Sequence, residues 1–497
     1  MTRRYRDGYR SLRDADPARL VAFDVLQEVS VDGAFANLVL PKALRAVRHD
    51  VASFDSRDAA FASELVYGTL RQRGRLDWEL ARHMSRAVSE TDPAVMDLLR
   101  LGAHQLLDMR VPDHAAVAST VDLARQVVTD GPVRMVNAVL RRVAEDGAEG
   151  VDEAVAGISD ADLRLGVRHS HPLWMVRAFR SALVAHGYDS GEIEDLLHAD
   201  NVAPDVTLVA RPGLIDPRDL ADEAQDVLDT RVAPGDVSEF AVILEGGDPA
   251  NLPAVRAGVA GAQDEGSQLA ALVAASAPLE GDDSAWLDLC AGPGGKASLL
   301  GALAVGRDAR VVANEIHPHR ARLVERSVRA LPDGIVEVHT GDGRTFGGED
   351  TPWALSSFDR VILDAPCTGM GSLRRRPESR WRRAASDLED LVALQAQLLD
   401  RALALVRPGG VLTYVTCSPH ERETRQQVER LLDHGKVELL DTVAIAERLA
   451  PVPLDVPDGA GHLTGMDGGE LPGRTLQLWQ HRQGTDLMFM ACLRRLD

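Results

Sequence analysis

The stretch Trp286-Leu287-Asp288-Leu289-Cys290-Ala291-Gly292-Pro293-Gly294-Gly295-Lys296 decides the fold of the longer part of this chain. It reads as a short strand that runs into a glycine-rich turn and then into a helix. Glycine lets a backbone approach a ligand closely, and the first turn of a helix carries N–H groups that have no partner inside the helix. Further strand-like runs lie at 310–315, 335–340, 358–364 and 411–416, around a first strand at 285–289. Helical patterns fall between them at 296–304, 317–330 and 386–406, and a last strand is predicted at 487–493 after a Pro/Gly-rich surface loop at 451–474. This alternation predicts a parallel, doubly wound α/β sheet. Sheets of that kind bind ligands at the carboxyl ends of their strands.

Two carboxylates stand at those ends. Glu315 closes the strand after the glycine turn, about 20 residues beyond it, where a carboxylate can accept hydrogen bonds from ribose hydroxyls. Asp342, in Gly341-Asp342-Gly343-Arg344, follows the third strand, where it can meet an adenine amine. Together they point to an adenosine-containing cofactor. The glycines are spaced Gly-Pro-Gly-Gly rather than Gly-x-Gly-x-x-Gly, which weakens a dinucleotide reading and favours S-adenosylmethionine.

The four cysteines are Cys290, Cys367, Cys417 and Cys492. They are too few for a disulfide framework, and no Cys/His cluster has zinc spacing, so no metal is expected. Cys290, inside the glycine turn, and Cys492, in the last strand, read as small packing residues. The other two fall where the chain leaves the carboxyl edge of the sheet, in Asp364-Ala365-Pro366-Cys367-Thr368 and in Thr416-Cys417-Ser418-Pro419. Two thiols flanking one cleft suit covalent catalysis at C5 of cytosine. That carbon is a weak nucleophile until a thiolate adds to C6 and turns the ring into an enamine-like species. An acid near N3 assists the addition, and Asp364 is placed to serve. Methylation of an exocyclic amine needs no thiol and uses a Pro-Pro-aromatic turn at this position, so it is disfavoured here.

At 497 residues the chain exceeds one ordinary domain, and 45% apolar with 26% charged residues exclude a disordered chain. No run of about 18 apolar residues offers a membrane span, and Met1–Arg6 is charged without the apolar stretch of a secretory signal, so a cytoplasmic protein is expected. Apolar residues at three- and four-residue steps, as in Leu20, Phe23, Val25, Leu26 and Val29, make residues 1–143 an all-helical domain. Acidic, glycine-bearing residues 144–160 read as a linker, and 144–260 as linker plus a small α/β subdomain; 261–497 form the sheet domain. The net charge of −21 argues against general nucleic-acid binding, but it is uneven: residues 1–143 carry a balance of roughly +2, and the remainder carries the acid.

Arg374, Arg375, Arg376, Arg380, Arg382 and Arg383 crowd into ten residues just after Cys367, with Trp381 among them and Glu378 as the only acid. They read as a face for RNA phosphates. A target base inside paired RNA would have to be extruded to reach a thiol.

These residues resemble the RsmB/Sun-type 16S rRNA (cytosine-C5) methyltransferases over nearly the whole chain. The resemblance is carried by Leu287–Lys296, Gly341–Arg344, Phe358–Arg383 and Pro408–Glu423. Residues 17–143, with Glu64-Leu65-Val66-Tyr67-Gly68 and Val136–Arg141, resemble the NusB-like helical RNA-binding domain of such enzymes. The resemblance implies a multidomain protein: an all-α NusB-like domain, a small α/β linker domain, and a Rossmann-like class I methyltransferase domain. It implies Cys417 as the nucleophile, Cys367 as the residue of the release step, and Asp364 as the group acting on the base. It implies S-adenosylmethionine on Cys290, Ala291, Gly292, Pro293, Gly294, Gly295, Lys296, Glu315, Asp342 and Asp364. Its implied substrate is 16S rRNA before or during small-subunit assembly. By its charge Lys296 is expected to orient Asp364. Two rival readings are a nicotinamide-dependent oxidoreductase on the same sheet and a non-catalytic RNA-binding assembly factor. The first leaves both cysteines and the arginine run unexplained; the second predicts that RNA binding and function survive loss of both cysteines.

Overall fold

Asp16 and Asp92 each precede a proline that opens a helix. Their side chains accept the N–H groups of Arg19 and Ala94 at 2.9 Å, closing the first turns of Pro17–Ser30 and Pro93–Leu107. In the computed structural model, which describes residues 16–348, 352–465 and 469–497, these belong to the first of two compact units. The charged N-terminus, residues 1–15, lies outside the described residues.

The first unit takes the chain up to Arg177 and adds Asp200–Val202 and Leu373–Arg382. Helix Pro93–Leu107 is buried on nearly every side, with Leu98, Leu99, Leu101 and Ala103 fully enclosed. The charges it buries are paired: Arg100 holds Asp77 through two bonds of 2.6 and 2.9 Å and Asp97 at 3.0 Å. The expected linker at 144–160 is largely helix. Asp130–Ala156 is one span with a break at Gly147, whose φ of 63° suits glycine. Val151 and Val155, four apart, turn into the core beyond the break. The boundaries at 143 and 260 therefore do not mark the compact units: the helical unit runs on to Arg177, and the small subdomain groups with the larger α/β sheet.

That subdomain is an antiparallel sheet of β1 (Val206–Ala210), β2 (Val232–Pro234), β3 (Ala241–Leu244) and β4 (Ala260–Ala262) in the order β2-β3-β1-β4, with helix Pro217–Leu228 against it. The main sheet comprises β5 (Ala285–Asp288), β6 (Arg310–Glu315), β7 (Val336–Thr340), β8 (Phe358–Asp364), β9 (Val406–Thr416), β10 (Val437–Leu439), β13 (Leu476–Gln477) and β14 (Phe489–Arg495). The 451–474 stretch, read as loop, contains a small hairpin, β11 (His462–Thr464) with β12 (Glu470–Arg474).

The order is β10-β14-β9-β8-β5-β6-β7, with β13 beside β14. Strands β9, β8, β5, β6 and β7 are parallel and β14 joins antiparallel. Strand β8 is buried through its first six residues, as a parallel strand covered on both faces must be. Chain order turns back between β5 and β8, and a switch point of this kind opens a crevice at the carboxyl edge.

Candidate active site

The turn after β5 is built for close approach. A Cβ on Gly292 would come within 2.1 Å of Glu315 Oε2, and one on Gly294 (φ 104°) within 2.2 Å of Ser327 Oγ. The Gly292 N–H donates to Glu315 Oε2 at 3.1 Å and the His317 N–H to Oε1 at 2.9 Å, so Glu315 is buried and braced by the turns on either side of it. Arg320 completes the brace by donating to Gly292 O at 2.6 Å. Asn314 spans two loops, donating to Leu289 O at 3.0 Å and to Gly341 O at 3.1 Å. Asp342 is turned toward its own loop: Arg344 takes both of its oxygens, at 2.6 to 3.1 Å, and holds the carboxyl below its usual range.

Asp288, at the end of β5, is 1% exposed, and neither of its oxygens has a hydrogen-bond partner. Burial, and then the charge of Asp364, raise it to about 7. An enclosed carboxylate without donors, above a turn that admits no side chain at Gly292, fits a cationic, adenosine-bearing cofactor with Glu315 at its ribose. Lys296 Nζ donates to Asp364 Oδ2 at 2.7 Å. Burial works to lower the Lys296 pKa, but Asp364, Asp288 and Cys417 together raise it, so the side chain is an ammonium.

The two cysteines predicted from strand ends come together: Cys367 Sγ lies 3.4 Å from Cys417 Sγ. Their loops are laced. The Ala365 N–H donates to Val415 O at 2.9 Å and the Gly371 N–H to Cys417 O at 2.8 Å. Glu423, fully buried, clamps the residue after each cysteine. It accepts from Thr368 N–H at 2.8 Å, Thr368 Oγ1 at 2.6 Å and Ser418 Oγ at 2.6 Å, with Gln395 Nε2 at 3.0 Å as a fourth donor. The Cys367 thiol is pushed well up by its hydrogen bond with Cys417 and by burial. Cys290 is also pushed up by burial and packs against the sheet core. Cys492 is fully buried in β14, and burial raises it to about 11.

Asp288, Asn314 and Glu423 are site residues that sequence reasoning gave no role. Asp288 was in view at the strand end, but no pattern distinguishes a carboxylate that meets no donor. Glu423 and Glu421 stand two apart in the same short segment, and only burial separates them.

The arginine run is not the open basic face that its composition predicts. Its residues up to Arg382 fold with the helical unit. Arg380 is fully buried and donates to Asn201 Oδ1 at 2.7 Å, Asp200 O at 2.8 Å, Arg71 O at 3.1 Å and Ser170 O at 3.3 Å. Arg382 binds the carbonyls of Val29 and Ala34 and lies 4.8 Å over the Phe35 ring. Arg374 is buried and Arg375 half-buried, while Arg376, over Phe35 at 5.1 Å, and Arg383 are exposed. Arg380 and Arg382 are thus structural: their terminal guanidinium nitrogens bind protein acceptors, mostly backbone carbonyls. In the same unit Glu79, His83 and Asp146 come within reach of one another, but Arg82 pairs with both acids, which makes this an ion-pair cluster.

The family model described as 16S rRNA methyltransferase RsmB/F matches residues 275–494, and the NusB family model matches 16–145. A Mycobacterium tuberculosis (strain H37Rv) protein with a provisional methyltransferase name is 45% identical over 486 residues, 97% of this chain and 98% of its own. Ribosomal RNA small subunit methyltransferase B of Erwinia tasmaniensis is 32% identical over 431 residues, covering 85% of this chain and 92% of its own. The crystal structure of PH0851 shares the fold at a TM-score of 0.75 and 20% identity, over 97% of this chain and 99% of that one. The structure of NSun6 from Pyrococcus horikoshii with SFG aligns with a TM-score of 0.50 at 16% identity, over 65% of this chain and 98% of that one. With a catalytic sheet matched by the family model and a named small-subunit enzyme aligned over most of both chains, this chain belongs to the RsmB/F family of 16S rRNA methyltransferases.

Proposed function

We propose that the chain methylates C5 of a cytosine in 16S rRNA, in the cytoplasm, through a covalent adduct on Cys417. The observation that carries this reading is the pair of sulfurs 3.4 Å apart beside the Lys296–Asp364 ion pair. S-adenosylmethionine supplies the electrophilic methyl group when bound. Asp288 would hold its ammonium, Glu315 its ribose, and the 290–296 turn its body, while Asp342 contributes only after leaving Arg344.

The two sulfurs share a hydrogen bond, and the Lys296 ammonium interacts electrostatically with Cys417, so positive charge stands beside the proposed nucleophile. The Cys417 sulfur would add to C6, and the C5=C6 electron pair would move onto C5, which would take the methyl carbon as its bond to the cofactor's sulfonium sulfur breaks and S-adenosylhomocysteine leaves. Asp364, fixed by Lys296, faces the polar edge of the base and serves N3 during addition. The C5 proton then leaves to a base and the C6–S bond breaks, returning thiolate. We assign this release step to Cys367. Of the arginine run, only exposed Arg376 and Arg383 remain candidates for phosphate contacts.

The test is methyl transfer from labelled S-adenosylmethionine to unmodified 16S rRNA. Cys417→Ala should lose transfer, while Cys367→Ala should accumulate a protein–RNA adduct that survives denaturant. An adduct in Cys417→Ala would exchange the two roles, and full activity in both variants would sink thiol catalysis.

A further inference from the structure

Five arginines of the catalytic unit carry charge that no acid answers. Arg322 and Arg326 lie on helix Pro318–Val328, Arg329 follows it, and Arg211 and Arg256 come from the β1–β4 subdomain. Among the described residues none of the five forms an ion pair. Their hydrogen bonds go to backbone carbonyls. Arg329 donates to Arg326 O at 2.8 Å and to Arg256 O, Arg326 to Arg322 O at 3.2 Å, Arg256 to Asn251 O, and buried Arg211 to Gly258 O. Burial, and then the charge of Arg329, lower Arg211 to about 10, so the two guanidinium groups feel each other without an acid between them.

The packing around them is close. A Cβ at Gly258 (φ 83°) would lie 3.3 Å from the Arg329 guanidinium carbon. Arg322, Arg326 and Arg329 follow i, i+4, i+7 and so share one face, with Glu325 the only acid from 316 to 329. The strip begins at the cofactor turn, since Arg320 at its head binds Gly292 O. Such a concentration is conspicuous in a region, 144–497, whose formal charge is about −23. Like charges fixed side by side on carbonyls cost free energy unless an anion answers them.

We infer that this strip is a docking surface for the RNA sugar–phosphate backbone, leading substrate past the cofactor turn. The inference rests on the RNA-methyltransferase reading above, and the experiment separates the two. Binding of the whole protein to a protein-free 16S rRNA transcript is measured across a salt series for wild type, for Arg322→Glu with Arg326→Glu, and for the control Arg218→Glu, an exposed arginine of the same subdomain. Arg329 is left intact because it fastens carbonyls.

The double variant should bind roughly tenfold or more weakly at 0.1 M salt, with a shallower log–log salt slope by about 0.7 to 0.9 per lost phosphate contact. Its affinity for S-adenosylmethionine and its melting temperature should match wild type, and Arg218→Glu should bind as wild type does. Unchanged affinity and slope in the double variant would overturn the inference, as would a loss seen only toward an acidic protein partner and not toward the transcript. A wild-type protein that binds the transcript with the expected slope yet transfers no methyl group would overturn the enzymatic reading and leave the surface standing.

Discussion

A carboxyl group enclosed without donors keeps its proton longer than one in water, and Asp288 is raised to about 7 by burial and by Asp364. Unfolded, the same group titrates near its ordinary value of 3.8. Between those values the folded protein holds a proton that the unfolded chain has lost. The group's contribution to stability is therefore complete below about pH 4 and is lost as pH rises through about 7. Asp288→Asn should remove that loss. Measured by urea unfolding without cofactor, the stability difference between variant and wild type should grow in the variant's favour from pH 4 to 8, by on the order of 4 kcal/mol. A constant difference would mean that burial does not raise Asp288 in the folded protein. Burial likewise pushes up the Cys290 thiol, inside the glycine turn.

The Leu373–Arg382 segment shows how little composition says about exposure. Its arginines were read as a phosphate-binding face because solvated charge is their usual state; what buries Arg380 are carbonyls at 71, 170 and 200 and an amide at 201, all distant in sequence. Arg380→Ala leaves those acceptors without donors and should cost about 3 kcal/mol or more of helical-unit stability by denaturant unfolding. Arg383→Ala, on an exposed position, should stay within about 0.5 kcal/mol. Equal effects would mean that the burial of Arg380 is not what holds this segment. Strands were more legible. Those at 310–315 and 358–364 fall where the apolar runs placed them, because continuous burial leaves an uninterrupted apolar signature. Strand β9 begins at Val406 rather than 411, since Pro408 and Gly409-Gly410 read as a turn. Residues 144–156 read as linker because acids and glycines hid the spacing of Val151 and Val155. The two cysteines were legible from strand ends alone; Glu423, which positions both, was not, because only the folded chain brings Thr368 and Ser418 to it.

Across the whole molecule, sequence order and compactness part company. The helical unit contains residues up to Arg177 but is completed by 200–202 and 373–382, so no single cut separates it from the catalytic unit. A fragment of residues 16–177 lacks Arg380 and the ring of Trp381 that packs at Gly74. It should melt several degrees lower than the corresponding transition in the full chain, and a peptide of residues 370–383 added in excess should raise its melting temperature by mass action, as calorimetry can show. Identical melting with and without the peptide would count against this segment as a structural part of the unit. The feature also has a meaning in time. A chain emerging from the ribosome releases its helical residues first, yet their last piece arrives about 200 residues later. At 5–20 residues per second that is a delay on the order of 10–40 s. For that interval the enzyme would itself be half-assembled, its first-born unit waiting on the stretch that follows Cys367.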